Sequence, residues 1–203
     1  MPGEISLASG GVLFLDELPE FNKAVTESMR QPLEDGQVTI TRAAGRVTYP
    51  SRFMLVCAMN PCRCGYYGSG IRECTCRRED IKKYLSKISG PLLDRIDIQV
   101  ELPALSFDEL TREEKSESSA QIRARVEDAR ALAIRRRGSA SACNAAMTRS
   151  EIREFCAVGD ASLRLLKTAF EKMNLSARGY DRVLRVARTV ADLAHSESIE
   201  PQH

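Results

Sequence analysis

Two acidic residues follow a short apolar run near the start of the chain. Residues 12–15 are all hydrophobic, and Asp16 and Glu17 come directly after them. Continuous apolar runs of this length are typical of strands buried in a parallel sheet, and open α/β sheets bind ligands at the carboxyl ends of their strands. The pattern indicates that Asp16 holds Mg²⁺ on a nucleotide and that Glu17 polarises the attacking water. An ordinary strand that leads into an acidic turn is the alternative.

A second apolar run ends in an amide, and an arginine flanked by aspartates lies further along. Residues 53–59 lead into Asn60-Pro61, and Arg95 follows a Gly-Pro-Leu-Leu-Asp segment. An amide at a strand end can help to orient a lytic water, although Asn-Pro also commonly starts a turn. Arg95 can reach the γ-phosphate of a neighbouring subunit as an arginine finger, or it can form a surface ion pair in its own chain.

Four of the seven cysteines form two closely spaced pairs. Cys62 and Cys64 make the first pair, and Cys74 and Cys76 make the second. Two thiolate pairs on turns suit a tetrahedral Zn²⁺ site, whereas four partly exposed free thiols are the alternative interpretation. We expect the remaining three cysteines to be unreactive because they lie among apolar or small residues: Cys57, Cys143 and Cys156.

Residues 1–103 have the pattern of an α/β layer that can carry these side chains. The two apolar runs predict buried parallel strands, and the alternating residues 96–102 predict a half-buried strand. A helix is predicted over residues 23–34. Two further runs, residues 38–42 and 46–49, predict a β-hairpin. Strands that alternate with helices favour an α/β fold.

The second half of the chain is predicted to be helical. Residues 104–119 are polar and acidic and are interpreted as a linker, and residues 120–203 are interpreted as a small helical bundle. Thr148 begins a capping-box pattern, Asp160 is predicted to cap a helix that ends at Met173, and Ser176 is predicted to cap a last helix. The helix after Asp160 is expected to point three side chains inward: Leu163, Leu166 and Phe170.

Composition limits the class of protein. The chain has 203 residues, of which 43% are hydrophobic and 29% charged, with 30 basic and 28 acidic side chains. This near balance excludes a strong nucleic-acid footprint from bulk charge but leaves room for a local basic loop. No apolar run approaches the roughly 20 residues of a membrane span, and the first residues do not resemble a signal peptide. We expect a cytoplasmic chain with reduced thiols and no membrane partner.

Five segments, found in order along the chain, carry a family resemblance. Together they resemble the magnesium-chelatase-like AAA+ ATPases and, within that group, the competence-associated ComM (YifB) family. The segments are GGVLFLDELPEF, RQPLEDGQVTITRA, AMNPCRCGYYG, GPLLDRIDIQVELP and LSARGYDRVLRVARTVADL. The resemblance implies part of an AAA+ P-loop NTPase core over residues 1–103, with a hairpin insertion, followed by an all-α lid over residues 120–203.

The resemblance also implies roles for single residues. Asp16 and Glu17 match the Walker B pair, Asn60 matches sensor 1, and Arg95 matches the arginine finger that acts in trans. Arg178 matches the sensor 2 arginine of the lid. The hairpin matches an insertion that points into the ring pore, so Arg42 and Arg46 become candidate contacts to DNA phosphates, with solvent-exposed arginines as the alternative. ATP, Mg²⁺, DNA and a hexameric ring are the implied cofactors and partners.

The phosphate-binding loop of these ATPases has no counterpart in the sequence. No G-x-x-x-x-G-K-[ST] pattern occurs, so we expect a C-terminal part of the family's protein, without its Lon-like domain, that does not hydrolyse ATP alone. We also expect these residues to form a dimer or higher assembly through an open sheet edge. Two alternatives stay open: a chelatase subunit that acts on a porphyrin, and a non-enzymatic, zinc-bearing interaction module.

Overall fold

The computed structural model describes residues 2–42, 45–111 and 116–203. The chain divides into two compact units, residues 1–111 and residues 112–203. Each unit has its own hydrophobic core, and each is described by itself.

The first unit mixes short helices with four strands. Its fold is α/β, as expected, with the predicted helix over residues 23–34 formed as two short helices that meet at Met29. A 3₁₀ turn, Leu18–Glu20, follows the first strand. The elements in chain order are α1 (Glu4–Leu7), β1 (Val12–Leu15), α2 (Lys23–Ser28), α3 (Arg30–Asp35), β2 (Gln37–Arg42), β3 (Gly45–Pro50), β4 (Met54–Cys57), α4 (Arg78–Leu85), α5 (Gly90–Leu93) and α6 (Phe107–Thr111).

The four strands of the described residues form two separate pairs. Strands β1 and β4 are parallel, with Val12 opposite Met54 and Leu15 opposite Cys57. Strands β2 and β3 form an antiparallel hairpin whose register runs from Gln37 opposite Pro50. The predicted hairpin is therefore confirmed, and the two apolar runs do become neighbouring parallel strands.

The parallel pair is covered on one face. Leu13, Leu15, Leu55 and Cys57 pack against a small core made of four buried side chains from the surrounding helices and turns: Leu18, Met29, Ile88 and Leu92. The residues between them point the other way and are exposed: Val12, Phe14, Met54 and Val56. The prediction of fully buried strands was wrong for this face, because no described element of this unit packs over it.

The strand predicted over residues 96–102 is absent from the described structure. These residues form no strand, and Leu102 is 87% exposed. Alternation gave the right period for a strand, but a strand also needs a neighbour to pair with, and residues 96–102 pair with none of the described strands.

The second unit is helical. Ser118 and Thr148 each close a full capping box, and Ser176 caps the last helix by accepting the N–H of Gly179 at 3.1 Å. The predicted caps at Thr148 and Ser176 are confirmed. The helices are α7 (Ser119–Arg137), α8 (Arg149–Phe155), α9 (Asp160–Met173) and α10 (Ala177–Leu193), with a 3₁₀ turn at Asn144–Ala146.

Helix α9 corrects two further predictions. Gly159, not Asp160, occupies the capping position, and Asp160 is the first helical residue. Leu163 and Phe170 are exposed, and of the three expected inward side chains Leu166 packs against the core of the unit. That core is centred on α10 and contains Met147, Ile152, Cys156, Leu184, Ala187, Ala191 and Ile199.

None of the helices in residues 2–42, 45–111 and 116–203 has the length and apolar character that a bilayer crossing requires.

Candidate functional site

The predicted nucleotide-site residues of the first unit come together at one edge of the parallel pair. Because β1 and β4 run in the same direction and Leu15 pairs with Cys57, Asp16 and Glu17 leave the sheet at the same edge as residues 58–60. The Ala58 N–H donates to the Leu15 carbonyl at 2.9 Å, so the ladder continues to the last residue before this edge. Two carboxylates and an amide therefore lie at adjacent carboxyl ends, where α/β sheets bind ligands.

The backbone at the end of β1 turns sharply. Glu17 has φ 50° and ψ 47°, in the left-handed region that few residues other than glycine occupy. Its N–H donates to Oδ1 of Asp16 at 2.9 Å, and the next N–H, that of Leu18, donates to the Ala58 carbonyl at 3.0 Å. Strained residues of this kind concentrate at functional sites. Asp16, Glu17 and Asn60 are all exposed, so a ligand can reach them.

Arg95 lies on the same unit and is engaged within its own chain. One guanidinium nitrogen donates to the Pro91 carbonyl at 2.6 Å, and another forms an ion pair with the carboxylate of Glu34. Its Nε is buried and has no acceptor among the described residues. In the single chain the residue thus forms the surface ion pair that was one of its two interpretations.

The hairpin arginines lie at the tip of β2 and β3. Arg46 is exposed and pairs with Thr41 across the ladder. The backbone of Arg42 pairs with Gly45, and its side chain lies outside the described residues, as do residues 43 and 44. An exposed arginine such as Arg46 suits a contact to phosphate. It equally suits a side chain that faces only solvent.

Arg178 belongs to the second unit. It is an exposed residue in the first turn of α10, directly after the Ser176 cap. A cation is not stabilised at this end of a helix, where the macrodipole favours anions. A phosphate oxygen near this turn would interact favourably with both the arginine and the helix end.

The four paired cysteines converge as the sequence predicted. Sγ of Cys62 lies 3.4 Å from that of Cys64 and 3.7 Å from that of Cys74, and the Cys64 and Cys74 sulfurs are 3.5 Å apart. All four sulfurs, including that of Cys76, lie within 4.8 Å of one another. A tetrahedral Zn²⁺ with bonds of about 2.3 Å sets its sulfurs about 3.8 Å apart, so the donor set fits this ion.

Backbone amides also point at these sulfurs. Gly65, with φ 82°, turns the chain after Cys64, so that the N–H groups of Tyr66 and Tyr67 reach the sulfurs of Cys64 and Cys62. The hydrogen bond from Tyr66 is the main reason that the pKa of the Cys64 thiol falls to about 5. The pKa of Cys62 is lowered as well, whereas burial and the neighbouring thiols raise the pKa values of Cys74 and Cys76. The backbone amides therefore favour thiolates at the first pair of cysteines only.

The three other cysteines differ in exposure. Burial raises the pKa of Cys57 and that of Cys156, which keeps both as neutral thiols. Cys143 is exposed. The expectation of an unreactive thiol therefore has support from burial at the first two positions.

Tyr84 is a residue of this region that sequence analysis missed. It is buried on α4. Burial raises the pKa of this phenol, and the nearby carboxylates of Glu20 and Glu17 raise it further. A tyrosine in an amphipathic helix carries no sequence signal of its nearness to these carboxylates, because they lie far earlier in the chain.

Sequence comparison with known proteins places the chain in a family. A family model described as magnesium chelatase, subunit ChlI, matches residues 1–110, and one for its C-terminal part matches residues 116–203. Competence protein ComM of Haemophilus influenzae is 43% identical over all 203 residues, which cover 39% of that protein. The chain belongs to the magnesium-chelatase-like ComM/YifB family.

Other members of this family match to a similar extent. YifB of Escherichia coli, an uncharacterised protein, is 41% identical over the whole chain, which covers 39% of it. An uncharacterised protein of Mycobacterium tuberculosis is 41% identical over 194 residues, 95% of the chain and 38% of that protein. The chain thus spans about two fifths of the length of the ComM/YifB relatives that it matches.

Proposed function

We propose that these residues form the catalytic edge and the lid of an AAA+ ATPase that works as a motor on DNA. The observation that carries the proposal is the in-register parallel pairing of β1 and β4, which brings Asp16, Glu17 and Asn60 to one edge. Membership of the ComM/YifB family supports it, since the same segments carry both the pairing and the resemblance.

The proposed roles follow from chemistry at that edge. Asp16 holds the Mg²⁺ that bridges the phosphates of ATP, and Glu17 polarises the attacking water. Asn60 orients that water from the neighbouring strand. ATP with Mg²⁺ is accordingly the proposed cofactor, and Zn²⁺ is proposed as the resident metal of the four cysteines.

Two arginines complete the proposed nucleotide site from elsewhere. Arg95 acts on the γ-phosphate of the adjacent subunit in a hexameric ring. Its Nε has no acceptor among the described residues, which supports a role in which this N–H donates to a group of another subunit or of the nucleotide. To do so its guanidinium must leave Glu34, so assembly and release of this ion pair are coupled. Arg178 contacts phosphate from the first turn of α10.

DNA is the proposed substrate of the motor. The exposed hairpin of β2 and β3 offers Arg46, and Arg42 at the adjoining position of its tip, for contacts to backbone phosphates. The bulk charge of the chain is close to neutral, so binding depends on this local element. The name of the Haemophilus influenzae relative, competence protein ComM, agrees with work on transforming DNA such as branch migration.

These 203 residues alone are proposed to lack turnover. They contain no G-x-x-x-x-G-K-[ST] pattern, and that loop supplies the lysine and the backbone N–H groups that cradle the β- and γ-phosphates. Mixed with ATP and Mg²⁺, the purified chain should release no phosphate above the rate of a Glu17→Gln variant.

A hybrid protein tests the function. The chain replaces the matching 39% of the Haemophilus influenzae relative, and ATP hydrolysis is measured with and without branched DNA. We expect DNA-stimulated turnover that Glu17→Gln abolishes, and weaker stimulation at raised salt in Arg42→Gln/Arg46→Gln. If a folded, assembled hybrid hydrolyses ATP at the same rate with and without Glu17→Gln, the ATPase assignment is ruled out.

A porphyrin chelatase is the second candidate, because the matching family models describe a magnesium chelatase subunit. The same hybrid separates the two functions. Stimulation by DNA and none by a porphyrin-bearing partner supports the motor, whereas the reverse pattern supports the chelatase.

A further inference from the structure

The loop between β4 and α4 carries two adjacent tyrosines at its surface. Tyr66 is 37% exposed and Tyr67 is 52% exposed. Neither side chain belongs to the described core around Leu18 and Leu92. Exposed aromatic rings offer flat faces on which another ring can stack.

Two tight turns present this pair of tyrosines. Gly65 and Gly68, on either side of the pair, have φ 82° and 77°, in the left-handed region where a residue with a Cβ is strained. The Gly65 N–H donates to the Cys62 carbonyl at 3.0 Å, and the Ser69 hydroxyl donates to the Tyr66 carbonyl at 3.1 Å. The backbone therefore fixes where the two rings emerge.

The cysteine pairs close the loop on either side of these turns. Sγ of Cys74, after the tyrosines, lies 3.7 Å from that of Cys62 and 3.5 Å from that of Cys64, before them. An ion bound by both pairs would add its binding free energy to the order of the loop.

Arginines surround the tyrosines. Residues 61–78 contain four of them, and the guanidinium carbon of Arg72 lies 5.1 Å from the centroid of the Tyr66 ring, a cation–π contact. Arg63 and Arg77 are exposed and directly adjoin cysteines of the cluster, so convergence of the sulfurs brings them together. None of the four forms an ion pair with another residue of the described ranges.

The charge of this loop is too small to bind a polyanion by itself. The arginines and Glu73 give three net positive charges, and four thiolates around one Zn²⁺ offset two of them. Duplex DNA, held mainly through its phosphates, gains little from such a surface. Unpaired bases gain from stacking as well, and zinc knuckles are among the modules that recognise single strands.

We propose that the cysteine loop, residues 61–78, binds single-stranded nucleic acid, with bases stacked on Tyr66 and Tyr67 and phosphates contacted by Arg63 and Arg77. Arg72 supports the Tyr66 ring from one side. The site is distinct from the hairpin arginines and needs no nucleotide hydrolysis. It rests on the proposed zinc site only for the order of the loop.

Binding of a labelled oligothymidylate of about 15 nucleotides to the purified 203-residue chain, followed by fluorescence anisotropy, tests the stacking. Tyr67→Ala should weaken binding at least about fivefold, the effect of losing one stacked base. The same variant should leave the weaker affinity for an abasic strand of equal length unchanged. Tyr67→Phe, which keeps the ring, should bind as the unaltered chain does.

Matched variants separate this loop from the rest of the surface. Phe107→Ala removes an aromatic ring of the same unit that is 77% exposed, and it should not change the affinity. Arg63→Gln should reduce the slope of log K against log salt by about 0.7, the loss of one phosphate contact to a single strand. Arg164→Gln, at an exposed position of the second unit, should leave the slope unchanged.

Elemental analysis of each protein tests the metal separately. About one zinc ion per chain is expected, and Cys62→Ser/Cys64→Ser should lose it. Tyr66→Ala also removes the partner of Arg72, so Tyr67→Ala decides the case if Tyr66→Ala lowers the zinc content. Zinc-free protein that still binds through its tyrosines would overturn the metal site and leave the binding surface standing.

Three results would overturn the proposal: no binding of oligothymidylate up to about 100 µM chain, equal affinity for the abasic strand, or unchanged affinity in Tyr67→Ala with zinc retained. An oligouridylate of the same length shows whether RNA is the tighter ligand, with the same dependence on the tyrosines. Failure of the DNA motor shows separately, as a hybrid protein whose ATP hydrolysis does not respond to branched DNA.

Discussion

The acidic turn after β1 combines two adjacent carboxylates with an uncommon backbone conformation. Asp16 accepts the N–H of Glu17, and this bond supports a turn in which Glu17 is left-handed. The conformation costs on the order of 1 kcal/mol for a residue with a Cβ. It persists because β1, the 3₁₀ turn and the Leu18–Ala58 hydrogen bond fix the backbone on both sides.

A substitution at Glu17 should separate hydrolysis from binding. In the hybrid protein we expect Glu17→Gln to lower kcat at least about 100-fold, because a positioned general base contributes that much, with KM for ATP little changed. Phosphate release under saturating ATP measures the effect. Glu20→Gln is the control: Glu20 is an exposed partner of Lys87 at 3.5 Å and should leave kcat within about twofold.

The position of the acidic pair at the end of a strand could be predicted from sequence, but the left-handed turn could not. Four apolar residues followed by two acids predicted a strand and an acidic segment after it, and the structure has both. The φ angle of Glu17 depends on how Leu18 and Ala58 join the strands, and that bond spans 40 positions of the chain. The burial of Tyr84 was missed because it too depends on residues distant in the chain.

Among the helices, α10 contains a buried ion-pair network. Asp192 is 1% exposed and accepts hydrogen bonds from Arg136, Arg188 and the Asn144 amide. Arg188 is 2% exposed and also donates to the carbonyls of residues 196 and 197. The Asp192 carboxylate thus joins α10 to α7 and to the 3₁₀ turn, and its partner Arg188 joins α10 to residues 196 and 197.

Loss of that carboxylate should destabilise the second unit strongly. We expect Asp192→Ala to lower its free energy of unfolding by about 3–5 kcal/mol, because the buried Arg188 charge loses its counter-ion. Urea unfolding followed by circular dichroism measures the change. Asp181→Ala should cost at most about 1 kcal/mol, since its partner Arg149 is exposed. Equal effects of the two variants would contradict the network's importance.

Helix α8 should give the second unit a dependence on acid. The N–H of Thr148, then Arg137 and the Thr148 hydroxyl, lower the pKa of Glu151 from 4.5 to about 2. Since the folded pKa is the lower one, the contribution is present above pH 4.5 and is lost as pH falls towards 2. Melting temperature measured across this window should fall less steeply in Glu151→Gln than in the unaltered chain; parallel curves would refute the assignment.

Local signals predicted the helices better than the strands. The caps at Thr148 and Ser176 were correct because a cap needs only residues three positions apart. Residues 96–102 failed because a strand is completed by a neighbour that the local pattern does not contain. Asp192 was missed because a charge on a helix has the same sequence pattern whether it faces solvent or a buried arginine.

At the scale of the whole molecule, two cores stabilise two sets of elements. The first, around Leu18 and Leu92, packs against the parallel strands β1 and β4, and the second, around Leu184 and Ala191, stabilises the helical unit. Neither core shares a residue with the other. The sequence pattern predicted an α/β part and a helical part, and the structure adds which residues pack in each core.

Perturbations of the two cores should act separately. Chelation of zinc should lower the melting temperature of the first unit, whereas Asp192→Ala should lower that of the second. Differential scanning calorimetry measures the two transitions. Tyrosine fluorescence assigns them, because Tyr84 lies in the first unit and Tyr180 in the second, and single Phe variants identify the signal of each. A single transition that both perturbations shift equally would contradict independent cores.

The left-handed backbone at Glu17 also has a consequence for evolution. Glycine or asparagine would occupy this turn at lower cost, so mutation alone would be expected to replace glutamate there. A glutamate is kept only while its carboxylate contributes more to fitness than the relaxed backbone would. In copies of this gene in which this carboxylate no longer has a role, position 17 should therefore be among the first to change, and towards glycine or asparagine.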